Sequence, residues 1–151
     1  MDCTFELNDQ DMSELKWGVR RYKAFSGYNG YKNQRLQVCV RDFGPIPAGR
    51  YYIVDRPTGG LLGPIRDWVT GKDEWFALFK DDSSIDDEML CDELKRGNFR
   101  LHPKGPAGIS RGCITFEHAQ EFDSFRETVL NQEKFAIPNS SFQAYGTVTV
   151  K

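Results

Sequence analysis

Residues 100–116 read Arg-Leu-His-Pro-Lys-Gly-Pro-Ala-Gly-Ile-Ser-Arg-Gly-Cys-Ile-Thr-Phe, and the rest of the chain is organised around this stretch. It brings together a histidine, a glycine-rich loop and a cysteine in a chain that holds only two histidines and four cysteines. A cysteine nucleophile requires a general base, backbone N–H donors for an oxyanion and space for a substrate. Residues 100–116 are able to supply all of these, so we treat them as a candidate active site.

The stretch also predicts the local fold of that site. Apolar residues in Asn98–Leu101 predict a strand that delivers His102, and Ile109–Ile114 is predicted to extend to Cys113. Neighbouring strands would then hold the histidine beside the cysteine.

A helix is predicted to follow the cysteine. Thr115 is a suitable N-cap for residues 116–130, and Glu117 places a negative charge in the first turn. Four residues recur at helical spacing and form one apolar face, so the histidine among them is expected on the buried side. They are His118, Phe122, Phe125 and Val129.

Apolar runs elsewhere predict a mainly β protein, that is, a β-rich α+β fold with one substantial helix. Two prolines and two glycines in residues 43–50 make a rigid connection between two of the strands. Short helical segments are expected at Ile65–Val69 and at Asp86–Lys95. The predicted strands are Cys3–Leu7, Leu15–Phe25, Leu36–Arg41, Tyr51–Asp55, Trp75–Phe79 and Tyr145–Val150.

The chain is nearly neutral. Its 151 residues include 20 basic and 22 acidic side chains, a formal net charge of -2, which removes the electrostatic case for a dedicated binder of nucleic acid or anionic membranes. Basic and aromatic residues interleave in Leu15–Phe25, but the pattern favours a strand with one solvated side over a nucleic-acid face. The length and the 39% hydrophobic content fit one domain spanning residues 1–151.

The amino terminus carries acidic residues where a secretion signal carries positive charge. No segment reaches the roughly 20 apolar residues that span a bilayer. We therefore expect a soluble chain made in the cytoplasm, without membrane insertion, and any role outside the cytoplasm requires a specialised export machine.

The four cysteines are spaced too widely for a zinc ribbon or a redox Cys-x-x-Cys pair. Cys39 is predicted to be a small buried residue in a strand, Cys91 to lie on a short helix and Cys3 to start a strand. A disulfide between two of these three stays open and matters in an oxidising compartment.

Seven acidic residues lie between Asp81 and Glu93 and are potential oxygen ligands for a divalent metal. They lack the Asp-x-Asp-x-Asp-Gly spacing of a calcium loop. A solvated loop and short helix are therefore favoured over a metal site.

Cys113 is the candidate nucleophile. A position just before a helix amino terminus and beside Arg111 favours its thiolate. The amides of Gly112 and Cys113 are candidates for an oxyanion hole, because glycine lets the backbone approach a reacting carbonyl. His102 is the candidate base, which takes the thiol proton and returns one to the leaving amine. Ser110 is a candidate for orienting the histidine or the substrate.

Basic side chains near the cysteine are candidates for binding a substrate carboxylate, Arg111 first and then Arg100 and Lys104. The glycine-rich and asparagine-rich loop Ser26–Asn33 holds tyrosines, among them Tyr28, that are candidates for lining a substrate groove.

Other interpretations of the pair stay open at this point. A buried structural thiol and a satisfied surface histidine account for the same residues. His118 competes with His102 as the base, since it lies five residues from Cys113, and its structural alternative is a core histidine bonded to backbone.

Ser110-Arg-Gly-Cys-Ile114, preceded by His102, resembles the His...Ser/Thr-His-Gly-Cys signature of YkuD-type L,D-transpeptidases. It is closer still to the type VI secretion effectors with an L,D-transpeptidase-like domain. The resemblance extends from about Leu15 to Val150. The further segments that carry it are Phe25-Ser-Gly-Tyr28, Gly44-Pro-Ile-Pro-Ala-Gly-Arg-Tyr51 and Tyr145-Gly-Thr-Val-Thr-Val150.

The resemblance implies a YkuD-like sandwich or barrel that acts on the peptidoglycan tetrapeptide stems of a rival bacterium. Cys113 would attack the carbonyl of the third-position diamino acid, expel the terminal D-alanine and form a thioester. Water then gives a tripeptide, and a free D-amino acid gives an exchanged tetrapeptide. The thiolate supplies the nucleophile, so no metal or cofactor is expected.

The resemblance also implies delivery by the type VI secretion apparatus into the periplasm of the target cell, and a cognate periplasmic immunity protein that protects the producer. The sequence departs from the transpeptidase signature at Arg111, where a histidine is usual, and at Thr115, where an asparagine is usual. The loop from His102 to Cys113 is also shorter than in housekeeping enzymes.

Two rivals remain. A papain-like wall amidase or endopeptidase places its cysteine before its histidine in the chain, whereas His102 precedes Cys113 here. A non-enzymatic immunity or adaptor module would leave Cys113 inert. The chain order favours the transpeptidase interpretation over the first rival.

Overall fold

The computed structural model describes residues 1–57, 74–82 and 84–151. The short helical segment predicted at Ile65–Val69 lies outside them. The strands are β1 (Asp2–Phe5), β2 (Ser13–Trp17), β3 (Arg20–Ser26), β4 (Gly49–Asp55), β5 (Phe76–Lys80), β6 (Glu88–Cys91), β7 (Leu94–Gly97), β8 (Arg100–Pro103), β9 (Ile114–Phe116), β10 (Phe135–Ala136) and β11 (Gln143–Val150). One α-helix of this part of the chain, α1, covers Ala119–Leu130, and 3₁₀ turns cover Asn29–Tyr31 and Arg35–Gln37.

Eight strands close into a barrel in the order β1-β2-β3-β9-β8-β5-β4-β11. Parallel pairing of β1 with β11 completes the ring, and β10 adds to the start of β11. Closure leaves no unpaired edge in the ring, which satisfies the backbone groups of every member strand. The predicted mainly β fold with a helix after Cys113 is confirmed.

The barrel core is aromatic, and the helix packs against it. Phe122 and Phe125 of α1 are both fully buried and lie with ring centroids 5.3 Å and 5.1 Å from Phe116 of β9. Val129 completes the buried stripe. The predicted apolar face is confirmed for these three helix residues, and burial of such side chains contributes about 2 kcal/mol each.

The predicted start of that helix is wrong. Residues 114–116 form β9, which pairs with both β3 and β8, so two ladders of hydrogen bonds outweigh the local helix signals. Thr115 is therefore a buried strand residue and not an N-cap. His118 takes the N-cap position and is exposed, which contradicts its predicted place on the buried face.

Three other local predictions are corrected. Leu15–Phe25 is not one strand but a hairpin of β2 and β3 that turns at Gly18, where φ is +56°. Leu36–Arg41 is a 3₁₀ turn followed by turns. Asp86–Lys95 is the hairpin of β6 and β7 instead of a helix, with Asp92 and Glu93 at positive φ in its turn.

A disulfide joins Cys39 to Cys91, with Cα atoms 5.4 Å apart. The disulfide shows which two of the three cysteines pair. The predictions of a strand at Cys39 and a short helix at Cys91 are wrong, because Cys39 lies in a loop and Cys91 in a strand. Cys3 is buried at the start of the chain in β1, as predicted, and its thiol is free. The disulfide connects the loop before β4 to the β6–β7 hairpin, which is a sheet separate from the barrel.

Candidate active site

A cavity of about 780 Å³ lies beside the ends of β8 and β9. Such a volume is in the range of small-molecule and peptide sites. Its walls come from the β6–β7 hairpin, the loop that follows Cys39 and the segment between β8 and β9. The described residues that line it are Arg41, Asp42, Arg56, Trp75, Glu88, Lys95, Arg96, Gly97, Asn98, Arg100, His102, Ile109, Arg111 and Cys113.

Strand register brings His102 and Cys113 to the same cavity. The parallel strands β8 and β9 pair Leu101 with Ile114 and His102 with Thr115. Cys113 precedes Thr115 by two residues, and alternate residues of an extended chain face the same side of a sheet. His102 and Cys113 are therefore diagonal neighbours on one face, and both line the cavity. The strand predicted at Asn98–Leu101 includes His102 itself.

His102 is held in one tautomer. Its Nδ1 lies 2.8 Å from the carbonyl oxygen of Pro103, and a carbonyl only accepts, so Nδ1 carries the proton. Nε2 lies 3.3 Å from the Thr115 hydroxyl, which can donate to its lone pair when the imidazole is neutral. The indole of Trp75 stacks on the imidazole. His102 is 5% exposed, and its ring is held by contacts at both nitrogens and on one face.

Cys113 is a protonated thiol in this environment. Its Sγ donates to the carbonyl oxygen of Asn98 at 3.7 Å. Burial raises the pKa of the Cys113 thiol to about 11, although a backbone hydrogen bond from Arg100 and the charges of Arg100 and Arg96 act in the opposite direction. Cys113 is partly exposed, so the buried environment that raises the pKa is that of the sulfur and not of every atom of the residue.

The predicted preference for a thiolate is therefore wrong for the unliganded protein. It assumed a helix amino terminus directly after Cys113, but β9 separates the cysteine from α1. The assumed neighbour Arg111 is exposed, and the charges that lower the pKa of Cys113 are instead those of Arg100 and Arg96, which burial outweighs. Cys113 must lose its proton during attack.

Gly112 is required by the packing behind the cysteine. Its φ is +95°, and a Cβ at this position would lie 2.6 Å from Nη2 of Arg96 and 2.8 Å from the ring of Phe99. Arg96 cannot easily retreat, because its guanidinium donates to the carbonyls of Gly44 at 3.0 Å and Pro45 at 2.6 Å. The observed close approach is to Arg96 and Phe99, and the predicted approach of Gly112 to a reacting carbonyl stays a prediction.

Ser110 anchors the cysteine backbone. Its hydroxyl donates to the carbonyl oxygen of Cys113 at 2.7 Å and accepts from the amide of Gly27 at 3.3 Å. It contacts these backbone groups rather than the imidazole of His102. Pro103 and Thr115 hold the histidine instead.

The family model of the Tlde1 domain matches residues 20–140. The chain belongs to the Tlde1 domain family. The match covers more than half of the chain and includes every described residue of the cavity. The name of the family denotes type VI secretion effectors of the L,D-transpeptidase kind, so the chain is a member of an effector enzyme family. Searches of curated proteins and of solved structures each gave no significant match.

The predicted substrate-binding residues of this Tlde1 domain are divided between two places. Arg111 and Arg100 line the cavity, where Arg100 pairs with Asp87 at 2.6 Å. Lys104 instead pairs with Glu117 at 2.7 Å, and Tyr28 packs on Phe43; neither is among the described residues of the cavity wall. The roles of all four in substrate binding remain predictions.

The cavity of the Tlde1 domain is cationic. Six basic and two acidic side chains occur among the described residues that line it. Lys95 is paired with Glu88, and Arg96 and Arg100 are engaged by protein oxygens. Arg111 projects from the loop next to the thiol. This charge balance suits a substrate that carries carboxylates.

Four contacts of the site were not found from the sequence of the Tlde1 domain. The sequence predicts a strand residue at Trp75, and at Thr115 a cap and a departure from the transpeptidase signature, but no contact of either residue with His102. Asn98 and Pro103 act through their carbonyl oxygens, which leave no side-chain signal.

Within the described ranges, no group of three or more His, Cys, Asp or Glu residues is arranged to hold a metal ion. Two of the acidic residues between Asp81 and Glu93 form ion pairs within the protein, Asp87 with Arg100 and Glu88 with Lys95. None of the helices in the same ranges has the length and apolar character needed to cross a membrane.

Proposed function

We propose that this Tlde1 domain, acting as one unit over residues 1–151, is a cysteine L,D-carboxypeptidase and L,D-transpeptidase of peptidoglycan. The observation that carries the proposal is the placement of His102 and the Cys113 thiol on one face of two neighbouring strands, at one cavity. A nucleophile and a base in this relation are the minimum equipment for acyl transfer.

Acylation begins when Nε2 of His102 takes the thiol proton as Sγ of Cys113 attacks the carbonyl of the third stem residue. The Nδ1–H bond to Pro103 stabilises the imidazolium that forms. The amides of Gly112 and Cys113 are assigned to the oxyanion. The imidazolium then gives its proton to the amine of the terminal D-alanine, which leaves, and the stem remains as a thioester on Cys113.

Deacylation decides the product. A water molecule, deprotonated by His102, attacks the thioester carbonyl, and the bond to Sγ breaks to give a tripeptide and the free thiol. The amine of a free D-amino acid gives an exchanged tetrapeptide by the same route. The enzyme needs no metal or cofactor in this scheme, since the sulfur provides the nucleophile.

Carboxylates of the stem match the cationic cavity. Arg111 is assigned to the carboxylate of the leaving residue, because it is exposed in the cavity and adjoins the loop of the nucleophile. Arg100 is assigned a weaker attraction to the same substrate carboxylate, because part of its guanidinium is already hydrogen-bonded to Asp87. Lys104 and Tyr28 are assigned to more distant parts of a glycan strand or stem.

Delivery follows from membership in an effector family. We assign the site of action to the periplasm of a target bacterium, with transfer by the type VI secretion apparatus and protection of the producer by a cognate periplasmic immunity protein. Both product types remove donor stems from cross-linking, which accounts for toxicity.

Purified protein incubated with tetrapeptide muropeptides, with and without a free D-amino acid, tests the proposal by mass spectrometry of the products. Loss or exchange of the terminal residue is expected. Cleavage between the second and third stem residues would instead identify a papain-like endopeptidase. An unchanged substrate would favour a non-enzymatic binding module.

A further inference from the structure

Thr115 faces the reactive nitrogen of His102 across the β8–β9 pair. The two residues are direct partners in the register, and both are buried, at 0% and 5% exposure. The Thr115 hydroxyl lies 3.3 Å from Nε2. A buried hydroxyl needs a partner, and the imidazole is the partner that the described structure gives it.

A hydroxyl suits this position in both protonation states of the histidine. It donates to the lone pair of neutral Nε2 and, after rotating about its C–O bond, accepts from the Nε2–H of the imidazolium. A valine can neither donate nor accept, and an asparagine must turn its whole amide group to exchange donor for acceptor. The same hydroxyl must yield when Nε2 turns to the thiol proton, so its bond has to be weak, as a 3.3 Å separation implies.

We propose that Thr115 is a positioning residue for the acyl-transfer reaction, which fixes the His102 ring toward Cys113 in both protonation states. The inference rests on the proposed function. Trp75 restrains the ring face, Pro103 restrains Nδ1, and Thr115 contacts Nε2 itself.

Thr115→Val and Thr115→Ser test the role as a matched pair. Valine keeps the shape and suits a strand, whereas serine keeps the hydroxyl. For Thr115→Val we expect kcat to fall about tenfold with KM little changed, as for loss of one buried hydrogen-bond partner in the reacting state. Thr115→Ser should recover most of the rate. Equal activity of Thr115→Val and the unmodified protein, or equal loss in both variants, overturns the proposal.

A spectroscopic readout separates this proposal from the proposed function. The chain has only two histidines, so His118→Ala protein gives one imidazole ¹⁵N spectrum, that of His102. Thr115→Val should shift its Nε2 signal toward that of an unbonded nitrogen, and Thr115→Ser should not. If the unmodified protein processes no muropeptide, the proposed function fails, and an unshifted Nε2 in Thr115→Val still overturns the role of Thr115.

The Cys39–Cys91 disulfide lies in the wall of the same cavity. Arg41 and Asp42 follow Cys39 and line the cavity, and Glu88 and Lys95 line it from the strands around Cys91. The β6–β7 hairpin is not part of the barrel sheet, and an isolated two-stranded hairpin is marginal in water.

Besides the disulfide, a buried arginine attaches this hairpin to the loop that follows β3. Arg96 of β7 donates to the carbonyls of Val38, Gly44 and Pro45 in that loop. Asp87 pairs with Arg100 on the barrel side. The Arg96 bonds are buried but noncovalent, so breaking the disulfide removes the one covalent link between these two parts of the wall.

We infer that oxidation assembles the substrate-binding wall, so that the domain is weakly active as a dithiol and gains activity once Cys39 and Cys91 are bonded. Each thiol loses a proton, and the pair gives two electrons to a disulfide oxidant such as glutathione disulfide or a protein disulfide, which is reduced to two thiols. This step also rests on the proposed function. A reducing cytoplasm would hold the effector in its weak form, and an oxidising periplasm would activate it.

Oxidised protein, protein reduced with dithiothreitol and the Cys39→Ser/Cys91→Ser variant are compared on tetrapeptide muropeptides. We expect KM to rise about fivefold or more in the last two, because the wall contacts the substrate rather than the reacting bond. The KM of the Cys39→Ser/Cys91→Ser variant should not change when dithiothreitol is added. This control would show that the reductant does not act through Cys113. Equal KM in oxidised and reduced protein overturns the inference.

Hydrogen exchange tests the wall without a substrate. Reduction should speed exchange of amides in residues 86–97 while β4, β5 and β11 keep their protection, which also shows that the barrel remains folded. Unchanged exchange in residues 86–97 overturns the inference even if muropeptides are processed. Absence of turnover in oxidised protein alongside faster exchange would count against the proposed function alone.

Discussion

Trp75 lies nearly flat on the imidazole of His102, with ring centroids 4.3 Å apart and planes 20° from parallel. The stack covers one face of the ring, while Pro103 holds Nδ1. A base that is restrained in this way loses little entropy when it takes a proton from the thiol. The indole of Trp75 thus helps to orient the imidazole of His102.

Removing the stack should slow the reaction. For Trp75→Ala we expect kcat to fall about tenfold, since His102 gains freedom to rotate, and Trp75→Phe should retain much of the rate through a smaller ring. Steady-state turnover of muropeptides measures both. Trp17→Ala is the control, because Trp17 lies on β2, away from the described cavity wall. Equal activity of Trp75→Ala and Trp17→Ala would contradict a role for the stack.

The free enzyme should behave as a thiol. Because burial raises the pKa of Cys113 to about 11, its alkylation by iodoacetamide should rise about tenfold for each pH unit from pH 7 to about 10. Cys3→Ser protein is used, so that Cys113 is the free thiol that reacts. A rate that levels off near pH 8 would indicate a preformed thiolate–imidazolium pair instead.

The same pKa shift affects stability with a definite sign. Burial raises the folded-state pKa of Cys113 from the ordinary thiol value of 9.0 to about 11, so the folded protein holds this proton more tightly than the unfolded chain. The resulting stabilisation is complete below pH 9 and is lost as pH rises toward 11. In urea unfolding across this range, Cys113→Ala should lose less stability with pH than the unmodified protein does.

Gly112→Ala should damage both packing and catalysis. The new Cβ would meet Arg96 and Phe99 inside contact distance at a φ of +95°, so we expect a loss of about 1–3 kcal/mol in unfolding free energy. Displacement of the Cys113 amide should also lower kcat. Gly105→Ala in the same loop is the control, since a Cβ there meets nothing within 4 Å. Similar losses in both variants would contradict the packing argument.

Asp87→Asn should leave the buried guanidinium of Arg100 without its counter-charge. The side chain of Arg100 is 9% exposed and that of Asp87 is 27% exposed, so the pair is worth more than a surface ion pair. We expect a loss of about 1–3 kcal/mol in urea denaturation. Asp123→Asn on the exposed side of α1 is the control. No difference between the two variants would show that water replaces the pair.

Sequence patterns were sufficient where one local rule decided the structure. The dense run at Trp75–Phe79 and the alternation at Tyr145–Val150 correspond to β5 and β11 within a few residues. The spacing of Phe122, Phe125 and Val129 identified the buried stripe of the helix. Position in the chain also brought His102 and Cys113 to one cavity, because the strands that carry them are neighbours.

Tertiary contacts decided the remaining elements. Leu36–Arg41 has strand-like alternation, yet Arg96 binds the carbonyl of Val38 and a disulfide holds Cys39, so the segment turns. The turn of the β6–β7 hairpin uses Asp92 and Glu93 at positive φ, without the Asn-Gly signal that identifies such turns. The state of the Cys113 thiol depends on its burial, which no local pattern records.

Capture of the acyl-enzyme tests the central claim most directly. Protein mixed with a tetrapeptide muropeptide, quenched in acid and measured intact by mass spectrometry, should carry the stem without its terminal D-alanine, with the adduct mapped to Cys113. His102→Ala should accumulate little adduct, and Cys113→Ala none. An adduct on another residue, or turnover that survives in Cys113→Ala, would contradict the account of Cys113 as the nucleophile and His102 as its base.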